Sequence, residues 1–307
     1  MASSSEPPVV AAMFHQQALS FRENLYAALA HASHFSNAYV GRKGGILVQC
    51  DAHDNVPIVR TTTEYPAGPL AFSNLHLTIV EEIRKALHAP HLEFNNAMIE
   101  MYNQQYRKMK FHSDQALDLV DGSLICVYSC YKNPATTKYK RILIVKHKQT
   151  NQVTRYSMDH NSIIVFSTKA NQEHVHRIVL ETDPSSRPRP RSQGQDQDDD
   201  GADEVGGDNS EWIGITFRLS KTYITVDRAQ EQEQKQDTPF IAARFRDSGQ
   251  VLRLTTEDVE KKEFRKLKGN ENMQVAFVYP ELDYTLSASD LMPARKLVAA
   301  ASAAVAL

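Results

Sequence analysis

The sequence predicts a mixed α+β chain with a jelly-roll core, and three observations predict it. Eight short apolar runs crowd the middle of the chain with no helical pattern between them. Helical spacing precedes them, so helices are expected to pack on the resulting sheets. Hydrophobic residues make up 41% of the 307 positions, enough for a core of that kind.

The elements follow in order. Residues 10–32 use good helix formers, so positions 1–35 read as an N-terminal helical extension. Residues 39–65 are β-branched and punctuated by glycine, which suits strands and turns. Leu75 to His88 places Ile79, Val80, Ile83, Ala86 and Leu87 at helical spacing, with Ser73 or Asn74 as the cap. The strands are expected at Ala97–Tyr102, Lys110–Asp114, Ser123–Tyr131, Arg141–His147, Thr154–Met158, Ser162–Thr168, Val175–Glu181 and Trp212–Leu219. Residues 183–210 hold almost no apolar side chain and cannot bury enough surface to order themselves, so they read as a disordered acidic insertion in a domain spanning 36–228. The remainder, 229–307, reads as a C-terminal appendage with a charged, solvent-facing helix at 256–268, a strand at Val275–Tyr279 and an alanine-rich end.

Several classes are excluded. No apolar run reaches membrane-spanning length; Leu297–Leu307 is 11 residues of mostly alanine. The first residues lack the basic start and apolar core of a signal peptide. The three cysteines suit neither a disulfide framework nor a cysteine zinc site. The expected setting is therefore intracellular, nuclear or cytoplasmic. The net charge of −2 hides seven acids at 196–208, without which the rest of the chain stands at +5. A mildly basic body is compatible with nucleic acid without being diagnostic of it.

The candidate chemistry centres on Phe111-His112-Ser113-Asp114. On a strand, positions i and i+2 share a face. His112 and Asp114 would then present a nitrogen and a carboxylate side by side, two-thirds of a 2-His-1-carboxylate metal site. One such triplet is what this composition delivers by chance. His91-Leu92-Glu93 is a competing variant beside Pro90. The third ligand should come from a later strand, with His160, His174 and His176 as candidates. Arg218 ends the apolar strand Ile213–Arg218. Composition alone favours an arginine reaching solvent there; turned inward, it could grip a carboxylate.

The order of these pieces, with FNNAMIEMY (94–102), FHSD (111–114), DHNSIIVFST (159–168), HVHRIV (174–179) and ITFR (215–218), resembles the AlkB-like dioxygenases over about residues 36–226. The resemblance implies a double-stranded β-helix, Fe(II), 2-oxoglutarate and O₂. It implies His112, Asp114 and His176 as both metal ligands and catalytic centre. Tyr102, ten positions before His112, would donate to the side-chain carboxylate of 2-oxoglutarate, and Arg218 would pair with a carboxylate. Three positions depart from the pattern: Glu100 replaces Asn, Trp212 replaces the Arg that grips the distal carboxylate, and Gly214 replaces a second Asn. Arg218-Leu219-Ser220 has the Arg-x-Ser form of other 2-oxoglutarate oxygenases, which would make Ser220 a substitute anchor.

The implied activity is oxidative dealkylation of nucleic-acid bases, DNA or RNA, with release of succinate and formaldehyde. Arg42, Lys43, Arg60 and Tyr65 lie where that family carries a lid over a flipped base. Two or three basic residues in loops are also ordinary solvated surface. Ala116 stands where the family uses an acidic residue in base recognition, and Asp118 is off register, so base identity is not legible. Two alternatives stand beside this expectation: the same chemistry on a protein or small molecule, and an inactive binding module on the same fold.

Overall fold

The structure, a computed structural model, describes residues 13–181, 210–226 and 243–296. The acidic insertion (save Ser210), the polar patch at 230–236 and the alanine-rich end from 297 lie outside them.

Two facing sheets form the core, antiparallel throughout except where β5 pairs in parallel with β3. The larger contains β1 (His15–Ala18), β2 (Ser36–Tyr39), β3 (Arg42–Val48), β5 (Leu70–Ala71), β6 (Asn96–Tyr102), β7 (Leu124–Tyr131), β10 (Ser162–Ser167) and β12 (Trp212–Arg218). Its order is β1-β10-β7-β12-β6-β3-β2, with β5 beside β3. The smaller has the order β11 (His174–Leu180), β8 (Arg141–His147), β9 (Val153–Ser157). A fourth segment, Lys108–His112, joins the free edge of β11 through two bridges, Lys108 to Val179 and His112 to His176. The chain therefore alternates between sheets, with β6, β7, β10 and β12 adjacent in one and 108–112, β8, β9 and β11 in the other. That winding is a double-stranded β-helix.

Burial on both faces explains why the strand sequences are continuous apolar runs. The outward residues Ile213, Ile215 and Phe217 of β12, with Ala97 and Ile99 of β6, pack under α2 (Asn74–Ala86), which buries Ile79, Val80 and Ile83. Ser73 caps α2 in a box closed by His76, whose Nδ1 accepts from the Ser73 N–H at 3.0 Å. Truncating Ile83 to alanine would cost about 2–5 kcal/mol. The inward residues Tyr102, Val127, Leu143, Val145, Phe166, Ile178 and Trp212 fill the space between the sheets.

Four expectations change. Residues 10–32 do not form one helix among the described positions. β1 pairs with the edge of β10, and a short α1 (Tyr26–His31) follows. Phe14 stacks on Phe166 at 4.3 Å inside the core, which draws its neighbours onto the sheet edge and overrides a weak helix preference. Lys110–Asp114 is a bridged edge rather than a regular strand. Its Ser113 and Asp114 N–H groups donate to the Asn272 and Asn171 side chains, so they are lost to any ladder. Val275–Tyr279 is not a strand. The charged helix is longer than expected: α4 runs Asp258–Met273, buries Phe264 and Glu271, and so is not wholly a solvated element.

The C-terminal residues are also tied to the N-terminal part. β13 (Tyr223–Val226) sits between β14 (Ala243–Phe245) and β4 (Val56–Pro57), with β15 (Val251–Leu254) and β16 (Tyr284–Thr285) completing a third sheet. Val48, Val56, Ile58, Ile224 and Leu252 form the apolar layer beneath it.

Candidate metal centre

His112 and His176 are brought together by the bridge between their segments. Each N–H donates to the other's carbonyl, at 3.0 and 2.7 Å. The residues of such a pair project to one side, and the two rings lie 4.6 Å apart. Asp114, two positions on, turns back toward them: its Oδ1 is 4.0 Å from His112 Nε2 and 3.5 Å from His176 Nε2. One ligand atom from each residue lies within 4.8 Å of the others, the only such group of three or more among the described residues. His112 Nδ1 lies 3.0 Å from the Lys110 carbonyl, a contact that makes Nδ1 the protonated nitrogen and leaves Nε2 free to ligate. His176 and Asp114 are buried, while His112 keeps about a third of its side chain exposed, at 32%.

The electrostatics suit a cation. Desolvation, then His176 and Lys268, lowers the His112 pKa to about 3. Burial alone would raise Asp114, but Arg218, followed by the two histidines, holds it well below the carboxylate range. Arg218 is 3% exposed and places Nε 3.1 Å from Asp114 Oδ2. It is thus an inward arginine paired with an anion, not the solvent-reaching residue that composition favours.

The last turns of α4 hold the ligand loop in place. Asn272 accepts the Ser113 N–H at 2.9 Å, and Glu271 accepts that of Ala116 at 2.9 Å. Lys268 donates to the Ser113 carbonyl and pairs with Glu271 at 2.9 Å. Tyr279 donates to the same Glu271 carboxylate at 2.8 Å. From the other side, Asn171 of α3 (Thr168–Glu173) accepts the Asp114 N–H and donates to its carbonyl, both at 2.8 Å. None of these supports carries a sequence signal for the site. The nearest is the lysine and glutamate three apart in α4, which also fits an exposed helical pair.

A second polar group lies further along the interior, on the strand face that carries Arg218. Tyr102 donates to Glu100 Oε2 at 2.5 Å, and Arg42 Nε donates to Glu100 Oε1 at 2.6 Å. Burial, then the nearby Glu100, keeps the Tyr102 hydroxyl protonated far above its usual range. Register places Gly44 and Gly214 on either side of Glu100. A Cβ at Gly44 would come 2.7 Å from the Tyr65 hydroxyl, and one at Gly214 would come 2.0 Å from the Trp212 ring. Glycine is therefore required at Gly214, whereas a side chain at Gly44 would have to displace the Tyr65 hydroxyl. Trp212 folds over Gly214, stacks near Tyr102 at 4.9 Å and donates from Nε1 to Ser129 Oγ at 2.6 Å. Trp212 and Gly214 are thus one coupled feature: the ring takes the volume that the missing side chain leaves.

The other expected residues are placed as follows. Ser220 Oγ donates to the Ile58 carbonyl at 2.6 Å and accepts the Thr222 N–H at 3.1 Å, so main-chain groups engage it. Arg60 is 4% exposed and grips Asp118 with Nε at 3.1 Å and Nη2 at 2.8 Å, a buried pair and not a lid contact. Tyr65 is buried beside Gly44. Arg42 lies in β3 on Glu100, and Lys43 next to it is exposed. His91 is exposed in a turn and Glu93 is exposed in the irregular segment that leads into β6. His160 Nδ1 accepts the Tyr131 N–H at 3.0 Å, and His174 Nδ1 contacts the Ala170 carbonyl at 2.9 Å, so neither joins the centre.

The strand order defines the fold. The chain is a double-stranded β-helix. No known protein family matches the sequence, and no curated protein does. Among solved structures it is similar to a prolyl-4-hydroxylase of Pseudomonas putida, at 10% identity and a TM-score of 0.38, covering 68% of this chain and 94% of that one. It is also similar to the structure of OsALKBH1, at 10% identity and a TM-score of 0.34, covering 69% and 87%. No helix among the described residues is long and apolar enough to cross a membrane.

Proposed function

We propose that this chain is an Fe(II)- and 2-oxo-acid-dependent oxygenase that dealkylates nucleic-acid bases. One observation carries the reading: His112, Asp114 and His176 converge on one point inside a double-stranded β-helix. Two imidazoles and one carboxylate are the donor set that suits ferrous iron and leaves positions open for further ligands. Bound there, iron supplies activation of O₂ for oxidation of a C–H bond. Arg218 holds the Asp114 carboxylate in place through its second oxygen, which leaves the first turned toward the two histidines. The buried side of the centre excludes water, and the exposed edge of His112 marks the side from which a substrate approaches.

2-Oxoglutarate, the cosubstrate implied by the resemblance, fits these residues only in part. Its keto-acid head suits a metal beside Arg218. Among the arginines described along the interior, Arg42 is committed to Glu100, whereas Arg141 is fully buried beside Tyr102 and bonds only to the Tyr106 and Asn103 carbonyls, with no carboxylate partner for its charge.

A basic and aromatic patch on the outer face of the smaller sheet, one residue out of phase with His112 and His176, supports the nucleic-acid part of the reading. Phe111, next to His112, lies under the Arg177 guanidinium at 4.3 Å and the Lys146 ammonium at 5.1 Å, with Lys110 exposed beside it. Cations and aromatic faces together suit a single strand. The test is formaldehyde release from methylated single-stranded DNA and RNA with Fe(II), O₂ and a 2-oxo acid. The wild-type chain should release it and His112→Ala should not. The enclosed Glu100 favours a second reading, a metal-holding module without turnover, which would bind the same strands and release nothing.

A further inference from the structure

Val275–Tyr279, which the sequence predicts to be a strand, follows α4 with the side-chain alternation of a strand and no partner for its backbone. Val275, Phe277 and Tyr279 are half-buried, while Ala276 and Val278 are exposed. The half-buried set faces α4: the Phe277 and Tyr279 rings meet edge to face at 4.9 Å, and Tyr279 donates to Glu271 at 2.8 Å. This period of two is what a strand with one solvated face shows. Yet no N–H or carbonyl from Val275 to Tyr279 has a main-chain partner among the described residues.

An open, uncharged run of this kind is a template for another strand. Met273 to Pro280 carries no charge, and Met273 and Val278 are 70% and 84% exposed. The outer strand β9 of the smaller sheet instead presents an exposed Arg155, a charge that deters pairing. The flanks decide which strand fits. Lys148 donates to the Gln274 carbonyl at 3.0 Å, so a cation stands at the start of the run, and Glu281 is exposed at its end. A second copy running antiparallel brings each start against the other's end. With the two Phe277 residues opposite each other, Val275 meets Tyr279, Ala276 meets Val278, and Lys148 meets Glu281 on both sides of a two-fold axis. That register pairs inward residues with inward and outward with outward. The contact is self-complementary, as a two-fold interface requires. A nucleic-acid strand would find no cation within the run and an acid at one end of it.

We propose that Val275–Tyr279 pairs antiparallel with the same segment of a second copy of this chain, forming a two-fold dimer. The proposal is independent of the metal centre. The test is sedimentation equilibrium of the full chain, with hydrogen exchange read at the same concentrations. A five-residue pairing is a small interface, so the dissociation constant should be on the order of 10 µM. Alternate amides of Val275–Tyr279 should exchange more slowly as the concentration rises through that value. Val278→Asp puts a carboxylate on the apolar outer face, and Glu281→Lys sets like charges together at both ends. Symmetry repeats each change, so each variant should weaken the dimer about tenfold. Both positions are exposed, so both variants should fold. A chain that stays monomeric far above the expected constant overturns the proposal. So does a dimer in which these amides exchange at the monomer rate, or one that both variants leave intact. Protection of the same amides by a single-stranded oligonucleotide on a monomeric chain overturns it too, and assigns the run to nucleic acid.

Discussion

His112 and His176 are joined by a single two-way backbone bridge, with hydrogen bonds of 3.0 and 2.7 Å and rings 4.6 Å apart. Because the backbone fixes both side chains on one side, the pair is set before any metal arrives. Replacing either histidine with alanine should lower Fe(II) or Mn(II) affinity at least 100-fold in competition with a coloured chelator. His112→Ala should leave the fold intact, since the ring is partly exposed and its backbone bonds remain. An alanine variant that holds metal as tightly as wild type would remove these residues from the ligand set.

Arg218 and Asp114 form a buried pair beside those rings, 3% and 7% exposed. Removing one partner of such a pair leaves an uncompensated buried charge and costs about 3–5 kcal/mol. Arg218→Met should therefore destabilise the metal-free chain by about 3 kcal/mol in urea unfolding. Added Mn(II) should recover part of that loss, because the cation takes over the neutralisation of Asp114. A variant equally destabilised with and without Mn(II) would separate Arg218 from the metal centre.

The legible part of this protein was its strand pattern. Buried strands read as apolar runs, so β7, β8, β10, β11 and β12 lie within two residues of their expected bounds. The His112-x-Asp114 triplet was visible as a spacing, although the two side chains are brought together by the bridge to His176 and a turn at Asp114 and not by the regular strand that the spacing suggests. Two kinds of feature were not. Phe14 turned an apparent helix start into a strand by packing on Phe166, a contact across 152 positions that no local propensity reports. In α4, Lys268 and Glu271 look like surface charge because a window of sequence cannot show that the Ser113–Ala116 loop comes to meet them. Glu100 and Trp212 read as departures from a pattern; only register shows that they enclose each other's neighbourhood between Gly44 and Gly214.

The role of α4 yields its own prediction. Glu271 accepts the Ala116 N–H, pairs with Lys268 and accepts from Tyr279, yet is not itself a ligand. Residues that orient ligands typically change metal affinity 10–100-fold. Glu271→Ala should weaken Mn(II) binding about tenfold with the three ligands unchanged. Hydrogen exchange at Ala116 should rise in the same variant, and an unchanged rate would separate Glu271 from the ligand loop.

Stability should also depend on His76. It is 0% exposed, and desolvation lowers its pKa to about 4. The folded form therefore keeps it neutral, while the unfolded chain takes a proton near its ordinary value of about 6.5. The contribution is fully present above about pH 6.5 and is lost as the pH falls toward 4, at about 1.4 kcal/mol per unit. Between pH 7.5 and 5 that amounts to about 2 kcal/mol in urea unfolding. The total slope is not His76 alone. His112 acts in the same direction, whereas Asp290, raised to about 7 by burial, becomes more stabilising on acidification. His76→Gln removes only the first contribution and keeps an acceptor for the capping box at Ser73. The difference between wild type and variant should therefore change by about 2 kcal/mol over that range, while the contributions of His112 and Asp290 cancel. Parallel pH profiles for the two chains would show that His76 is not the group whose protonation opposes folding.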